Sequence, residues 1–183
     1  MGVVSTPGPQ FSTADPIRVT MVCTGNICRS PYAAVLLRQG LAWARPGAFE
    51  VTSAGTHALV GRPMDEGSVE RLAAKGLAVA QADFLTIPPP PGGYVDVVLM
   101  NPPFAKRADV HHIRHAFQFL RPGGRLVAIA SASVSFRSDH LGKDFRLMVE
   151  AYRGSITPLP DDSFRASGTS VNTCLVTMTR PAN

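Results

Sequence analysis

Ile17 to Pro31 reads I-R-V-T-M-V-C-T-G-N-I-C-R-S-P, and the choice of fold turns on this stretch. Ile17–Cys23 is rich in residues that suit a pleated strand. It stops at Thr24-Gly25-Asn26, and Ser30-Pro31 then opens a helix, Ser being a favoured N-cap and Pro a favoured first helical residue. Ala33, Leu36, Leu37 and Leu41 give that helix an apolar stripe. A second strand follows at Glu50–Thr56, and a second helix at Pro63–Lys75 with Gly76 as its C-terminal cap. Beyond the joint Ile87-Pro88-Pro89-Pro90-Pro91-Gly92-Gly93, Val95–Met100 is an apolar strand broken only by Asp96, the pattern of a buried parallel position. Val110, Ile113, Phe117 and Leu120 recur at helical spacing until Pro122-Gly123-Gly124 stops them. Leu126–Ala130 is another buried strand, and Leu141, Phe145, Met148 and Tyr152 mark a helix that ends near Gly154. Ser155–Leu159 and Val171–Thr179 are closing strands on either side of a Pro160-Asp161-Asp162 turn. No internal repeat is visible. Strands that alternate with helices predict an α/β fold on a mostly parallel sheet.

The 183 residues suit one domain or two small ones, and can bury a core without disulfides or a structural metal. A hydrophobic share of 45% excludes a disordered chain, and a charged share of 17% predicts a core that is large relative to its polar shell. No apolar run approaches the ~18–20 residues of a membrane span. Lys and Arg number 18 against 13 Asp and Glu, a net charge of +5 that permits an anionic partner. The charges are scattered rather than blocked, as on a solvated surface. Three cysteines, Cys23, Cys28 and Cys174, make no disulfide framework and suit a reducing cytoplasm, so a cytoplasmic protein off the membrane is expected. The opening M-G-V-V-S-T lacks the regions of a signal peptide and fits an acylation pattern short enough to be common by chance. Residues 1–15 read as a flexible arm.

In such sheets ligands gather at the carboxyl ends of strands, which singles out the loops from Cys23 to Ser30 and from Asn101 to Phe104. In the first, the backbone N–H groups of Thr24, Gly25, Asn26, Ile27, Cys28 and Arg29 can converge on an anion at a helix N-terminus. The Arg29 fork can grip two phosphate oxygens, and the same field lowers the Cys23 pKa so that thiolate is available for attack at phosphorus. Ser30 can hydrogen-bond the sulfur, and Asn26 tolerates the left-handed backbone of a tight loop.

From Ile17 to about Val79 the chain resembles the low-molecular-weight protein tyrosine phosphatases and their arsenate-reductase relatives. V-C-T-G-N-I-C-R-S-P carries the resemblance, with V-T-S-A-G-T, G-R-P-M-D and L-A-A-K-G-L after it. It implies Cys23 as a nucleophile that forms a phosphocysteine intermediate, Arg29 as phosphate binder and Ser30 as thiolate stabiliser. A phosphate ester or phosphotyrosine would be the substrate, with no cofactor. For Cys28 it implies a reversible disulfide with Cys23, beside the plainer reading of a small buried side chain; Cys174 is expected in the core. The family carries its general acid as an Asp-Pro pair late in the chain, and no Asp-Pro follows Cys23 here. Asp15-Pro16 precedes the first strand, and about eight residues at ~3.3 Å each put it at the far edge of the sheet. A phosphatase impaired by loss of its acid is the expectation.

Past residue 80 the chain resembles class I S-adenosylmethionine-dependent methyltransferases that modify amino groups. The motifs are A-D-F-L (Ala82–Leu85), V-D-V-V-L-M-N-P-P-F (Val95–Phe104), H-I-R-H-A, L-R-P-G-G-R-L-V-A-I and S-G-T-S-V-N-T. Asn101, Pro102, Pro103 and Phe104 would form a clamp. The Asn101 oxygen and the next carbonyl accept from an NH₂ group, and Phe104 stacks on a planar base. Asp83 would meet the cofactor's adenine amino group. Under this alternative the cofactor is S-adenosylmethionine and the partner nucleic acid. The positions of the family's Gly-rich loop and acidic ribose partner are held by the Cys23 loop and S-A-G-T. His111, His112 and His115 stand at metal-compatible helical spacing but follow the family's own helix pattern, so no metal is expected.

The expected whole is a phosphatase-like half, 16–80, and a methyltransferase-like half, 81–183, in one hybrid domain. Its three-layer, mostly parallel Rossmann-like sheet would close on an antiparallel strand pair. A cysteine-dependent phosphatase is the first reading; the alternatives are an amino-group methyltransferase and a non-catalytic anion-binding fusion.

Overall fold

The computed structural model describes residues 16–23, 37, 41, 47–55, 84–161, 163 and 171–182. Its strands are β1 (Ile17–Cys23), β2 (Phe49–Gly55), β3 (Val95–Asn101), β4 (Leu120–Ser131), β5 (Ser155–Pro158) and β6 (Thr173–Thr179). These six lie in one sheet, in the order β2-β1-β3-β4-β6-β5. β1 pairs parallel with both β2 and β3, and β3 pairs parallel with β4. β6 runs antiparallel to β4, and β5 antiparallel to β6, which gives the expected antiparallel closure.

Period-two alternation sorts the strand residues onto two faces. Val22, Val98, Met100, Leu126, Ala128, Ala130, Val176 and Met178 belong to the larger core cluster. Helices α1 (Ala108–Phe117) and α2 (His140–Ala151) cover it with Val110, Ile113, Phe117, Phe145 and Val149. Ile17, Val19, Met21, Val51, Val97 and Leu99 form a second cluster, against which the helical residues Leu37 and Leu41 pack. Helix on both faces makes the α/β sheet a three-layer one. The helix expected at Pro63–Lys75 and the arm 1–15 lie outside the described residues.

One boundary departs from the sequence expectation. The spacing predicts that Leu120 closes a helix, that Pro122-Gly123-Gly124 follows it, and that a strand begins only at Leu126. Instead α1 ends at Phe117 and β4 starts at Leu120, which is fully buried. The register against β3 steps from Val95↔Leu120 to Val97↔Arg125, so Arg121–Gly124 bulge opposite Asp96 alone. Gly124 permits this, because a Cβ there would stand 2.9–3.1 Å from the carbonyls of Arg121, Val95 and Asp96. The Pro-rich joint reaches the same place. Gly93 has φ +82°, and its absent Cβ would lie 2.0 Å from Leu120 O.

Asp96, the one break in the apolar strand, is a buried tie between three strands. It accepts from the Arg18 backbone N–H of β1 at 2.7 Å and pairs with Arg121 of β4.

Candidate functional site

Parallel strands bring their carboxyl ends to one edge, and the two loops singled out in the sequence leave from neighbouring strands there. Cys23 is the last residue of β1 and Asn101 the last of β3, and the two are register partners. On the other side Cys23 is partnered by Gly55 of β2. Adjacent strands are about 4.8 Å apart, so the starting points of both motifs lie side by side. The remaining loop residues, Thr24, Gly25, Asn26, Ile27, Cys28, Arg29 and Ser30, lie outside the described residues, as do Asp83 and Asp15.

The second loop is described throughout. Asn101 is half-buried, Pro102 buried, and Pro103 and Phe104 half-buried. Two consecutive residues beyond it, Lys106 (φ 52°) and Arg107 (φ 63°), are left-handed, a conformation that costs a non-glycine residue ~1–2 kcal/mol. The Arg107 N–H donates to Phe104 O at 3.2 Å, and its guanidinium pairs with Asp139. Asp139 also caps α2 by accepting from Gly142 N at 2.8 Å. Arg107 and then Gly142 hold the Asp139 carboxyl below the usual range.

Sequence reasoning missed Asp109. It is 2% exposed in the first turn of α1, accepts from Val110 N and from Ser131 N at the end of β4, both at 3.0 Å, and so pins α1 to the sheet. Burial raises its pKa, partly offset by those hydrogen bonds. Cys174 is in the core as expected, and burial followed by the charge of Asp109 pushes its thiol up to about 11. An Asp early in a helix looks like an ordinary dipole partner, so no signal marked it.

Two of the three histidines make hydrogen bonds and ring contacts. His112 is buried, donates from Nδ1 to Ala108 O at 2.6 Å and stacks on Phe84. His115 donates from Nε2 to Ile87 O at 3.0 Å and meets Phe84 and Phe119 edge-on, while His111 is exposed. His115 thus fastens the start of the Pro-rich joint to α1, and His112 packs on Phe84 just before it. A groove of about 560 Å³ beside that joint, lined by Pro89–Gly93, Tyr152 and Arg180, lies at the opposite edge from Cys23 and Asn101.

The sequence around Cys23 has close counterparts. Residues 18–100 match the family model of low molecular weight phosphotyrosine protein phosphatase. The matched segment runs from β1 to the penultimate residue of β3. Low molecular weight protein-tyrosine phosphatase A of Mycobacterium tuberculosis is 49% identical over 65 residues, which are 34% of this chain and 40% of that protein. The low molecular weight protein-tyrosine-phosphatase Etp of Escherichia coli is 44% identical over 61 residues, 33% of this chain and 38% of that one. The chain thus spans about two fifths of the length of these curated relatives.

Solved structures lead elsewhere. A chain of a type I R-M system superposes with a TM-score of 0.65 at 15% identity, covering 92% of this chain and 39% of its own. The antibiotic-resistance methyltransferase Kmr gives 0.58 at 14%, covering 93% and 90%. A geranyl diphosphate C-methyltransferase from Streptomyces coelicolor, solved with S-adenosyl-L-homocysteine, gives 0.56 at 13%, covering 92% and 75%. The chain therefore has a methyltransferase-like fold whose first strands carry phosphatase-like sequence.

Among the described residues, the end of β2 does not fit S-adenosylmethionine. β2 ends in Ser53-Ala54-Gly55, without the acidic residue that holds a cofactor ribose at the end of a second strand. The carboxylate that β2 does carry, Glu50, lies near its other end, paired with Arg18 at 3.6 Å. Among the described residues no helix is long and apolar enough to cross a membrane.

Proposed function

We propose that the chain is a cysteine-dependent phosphatase of the protein-tyrosine-phosphatase kind, weakened by the loss of its general acid. The observation that carries this is Cys23 at the carboxyl end of β1, inside a segment that matches the phosphatase family and continues into Arg29-Ser30. The Cys23 thiolate attacks phosphorus as the ester oxygen leaves, and water then cleaves the sulfur–phosphorus bond to release inorganic phosphate. Arg29 and the loop amides bind the phosphoryl oxygens, and Ser30 stabilises the sulfur when it departs. With no Asp-Pro after Cys23, the leaving oxygen takes its proton from solvent. The chain joins a phosphatase-like front (16–80) and a methyltransferase-like rear (81–183) in one domain, as the pairing of β1 with β3 supports, and it works in the cytoplasm. Hydrolysis of para-nitrophenyl phosphate by wild type, abolished in Cys23→Ser, is the expected result. Equal rates in the two proteins would overturn the reading.

A second reading, an amino-group methyltransferase acting on nucleic acid, is favoured by the strand order and by Asn101–Phe104 at the end of β3. The β2 terminus weighs against it. A third, a non-catalytic fusion that only binds anions, predicts phosphate binding with no turnover.

A further inference from the structure

We propose that the Pro-rich joint before β3 is a docking ridge for a partner protein whose recognition groove is lined with aromatic side chains and rimmed with carboxylates. The joint leads into the amino end of β3, whereas Cys23 stands at the carboxyl end of β1, so the proposal is independent of the chemistry at Cys23. Pro88–Pro91 have φ fixed at ~−65°, and Ile87, Pro88, Pro89 and Pro90 each precede a proline, which steers them away from helical geometry. The result is a left-handed polyproline II helix of roughly three residues per turn. Its exposure follows that period. Pro89 is half-buried, while Ile87 and Pro90 form one exposed edge and Pro88 and Pro91 a second. A type II turn ends it, with Pro91 at the second position, Gly92 (φ +75°) at the third and Gly93 N donating to Pro90 O at 3.0 Å. Both ends of the joint are tied to the fold before any partner arrives. His115 Nε2 donates to Ile87 O at 3.0 Å, and Tyr94 N donates to Phe119 O at 2.8 Å. A ridge fixed in this way loses little conformational entropy on binding, and a polyproline II helix leaves its carbonyls without internal bonds. Exposed apolar surface is concentrated here. Of the six large hydrophobic residues that stand exposed among those described, Leu85, Ile87 and Tyr94 belong to the joint or flank it, the clustering that marks an interaction site. The charge beside the ridge is basic. Arg180 lines the surface next to Pro89–Gly93 with no acidic residue in that lining, and Arg18 lies 4.7 Å over the Tyr94 ring. An apolar ridge in a basic surround is matched by an aromatic groove with an acidic rim, the mode in which polyproline segments are read.

The test titrates the full chain into isotope-labelled SH3, WW and EVH1 domains and follows the magnetic resonances of their aromatic grooves. Wild type should shift the groove resonances of at least one of these domains, and the shifts should shrink as salt is added. The double variant Pro88→Ala/Pro91→Ala removes one exposed edge and should weaken that binding by about tenfold or more, whereas Pro89→Ala, on the half-buried edge, should stay within about threefold of wild type. If circular dichroism shows that the double variant does not fold, Pro88→Ala is compared with Pro89→Ala instead and should weaken binding more. No groove shifts from any of the domains at millimolar chain, shifts indifferent to salt, or equal losses on the exposed and half-buried edges would overturn the proposal. Sedimentation that shows the chain pairing with itself, or an oligonucleotide bound by it, with either association lost in the double variant, would overturn it too by giving the ridge another occupant.

Discussion

Two residues at the carboxyl edge set the chemistry on opposite terms. Cys23 ends a strand and, in the proposed cradle, faces a helix N-terminus and Arg29, so its thiolate should form well below the usual ~8.5. Iodoacetamide should therefore label it rapidly at pH 6, and phosphate or arsenate should slow the reaction; labelling confined to pH above 8 would refute the cradle. Asp109 is the contrary case, a carboxyl raised by burial above its ordinary 3.8. A raised pKa gives stability that is full below the unfolded value and is lost as pH rises through the folded one. Asp109→Ala strands the N–H groups of Val110 and Ser131 and should cost about 2 kcal/mol or more in urea unfolding. The stability gap between the two proteins should be widest in acid and narrow as pH rises, and a gap that widens would contradict the burial account.

At the scale of elements, the strands legible in the sequence are those with a single explanation for each residue. Ile17–Cys23 alternates, stops at Gly25 and has no helical competitor, and the strand occupies those residues. Leu120 satisfies two patterns at once, the helical spacing from Phe117's stripe and the start of a buried strand. Periodicity cannot separate them, and the bulge over Arg121–Gly124 depends on a backbone approach that sequence does not display. Asp96 is visible as an interruption, but its partners come from 78 residues earlier and from the bulge. At the site, Cys23 and Asn101 can be found because each opens a motif, whereas Asp109 and the left-handed Lys106-Arg107 pair acquire meaning only from long-range neighbours. The joint offers a direct check. A methyl added at Gly92 (φ +75°) would have nothing within 4 Å, while one at Gly93 would meet Leu120 O. Gly92→Ala should cost about 1 kcal/mol for its φ, and Gly93→Ala well over ~2 kcal/mol. Equal losses in denaturant would show that β3 does not depend on this crossing.

For the molecule as a whole, a methyltransferase-like sheet carries phosphatase-like sequence at its front, and two measurements separate the inheritances. Calorimetry with S-adenosylmethionine should detect no binding, since β2 ends without a carboxylate; a micromolar dissociation constant would promote the methyltransferase reading. Aryl phosphates with phenol pKa values from about 5 to 10 should be hydrolysed at rates that fall steeply with leaving-group pKa, because general acid catalysis is typically worth ~10²–10⁴-fold and no Asp-Pro follows Cys23 to supply it. Flat rates, with phosphotyrosine turned over fully and Cys23→Ser inactive, would mean that another group donates the proton. The tie at Asp96 bears on how such a molecule can exist at all. Asp96 takes its bond from the peptide nitrogen of Arg18 and not from that residue's side chain. A carboxylate that grips main chain is indifferent to the side chain at that position, so this contact would survive any residue but proline there, and a foreign β-strand that keeps the apolar alternation of Val19, Met21 and Val22 could be grafted at this seam.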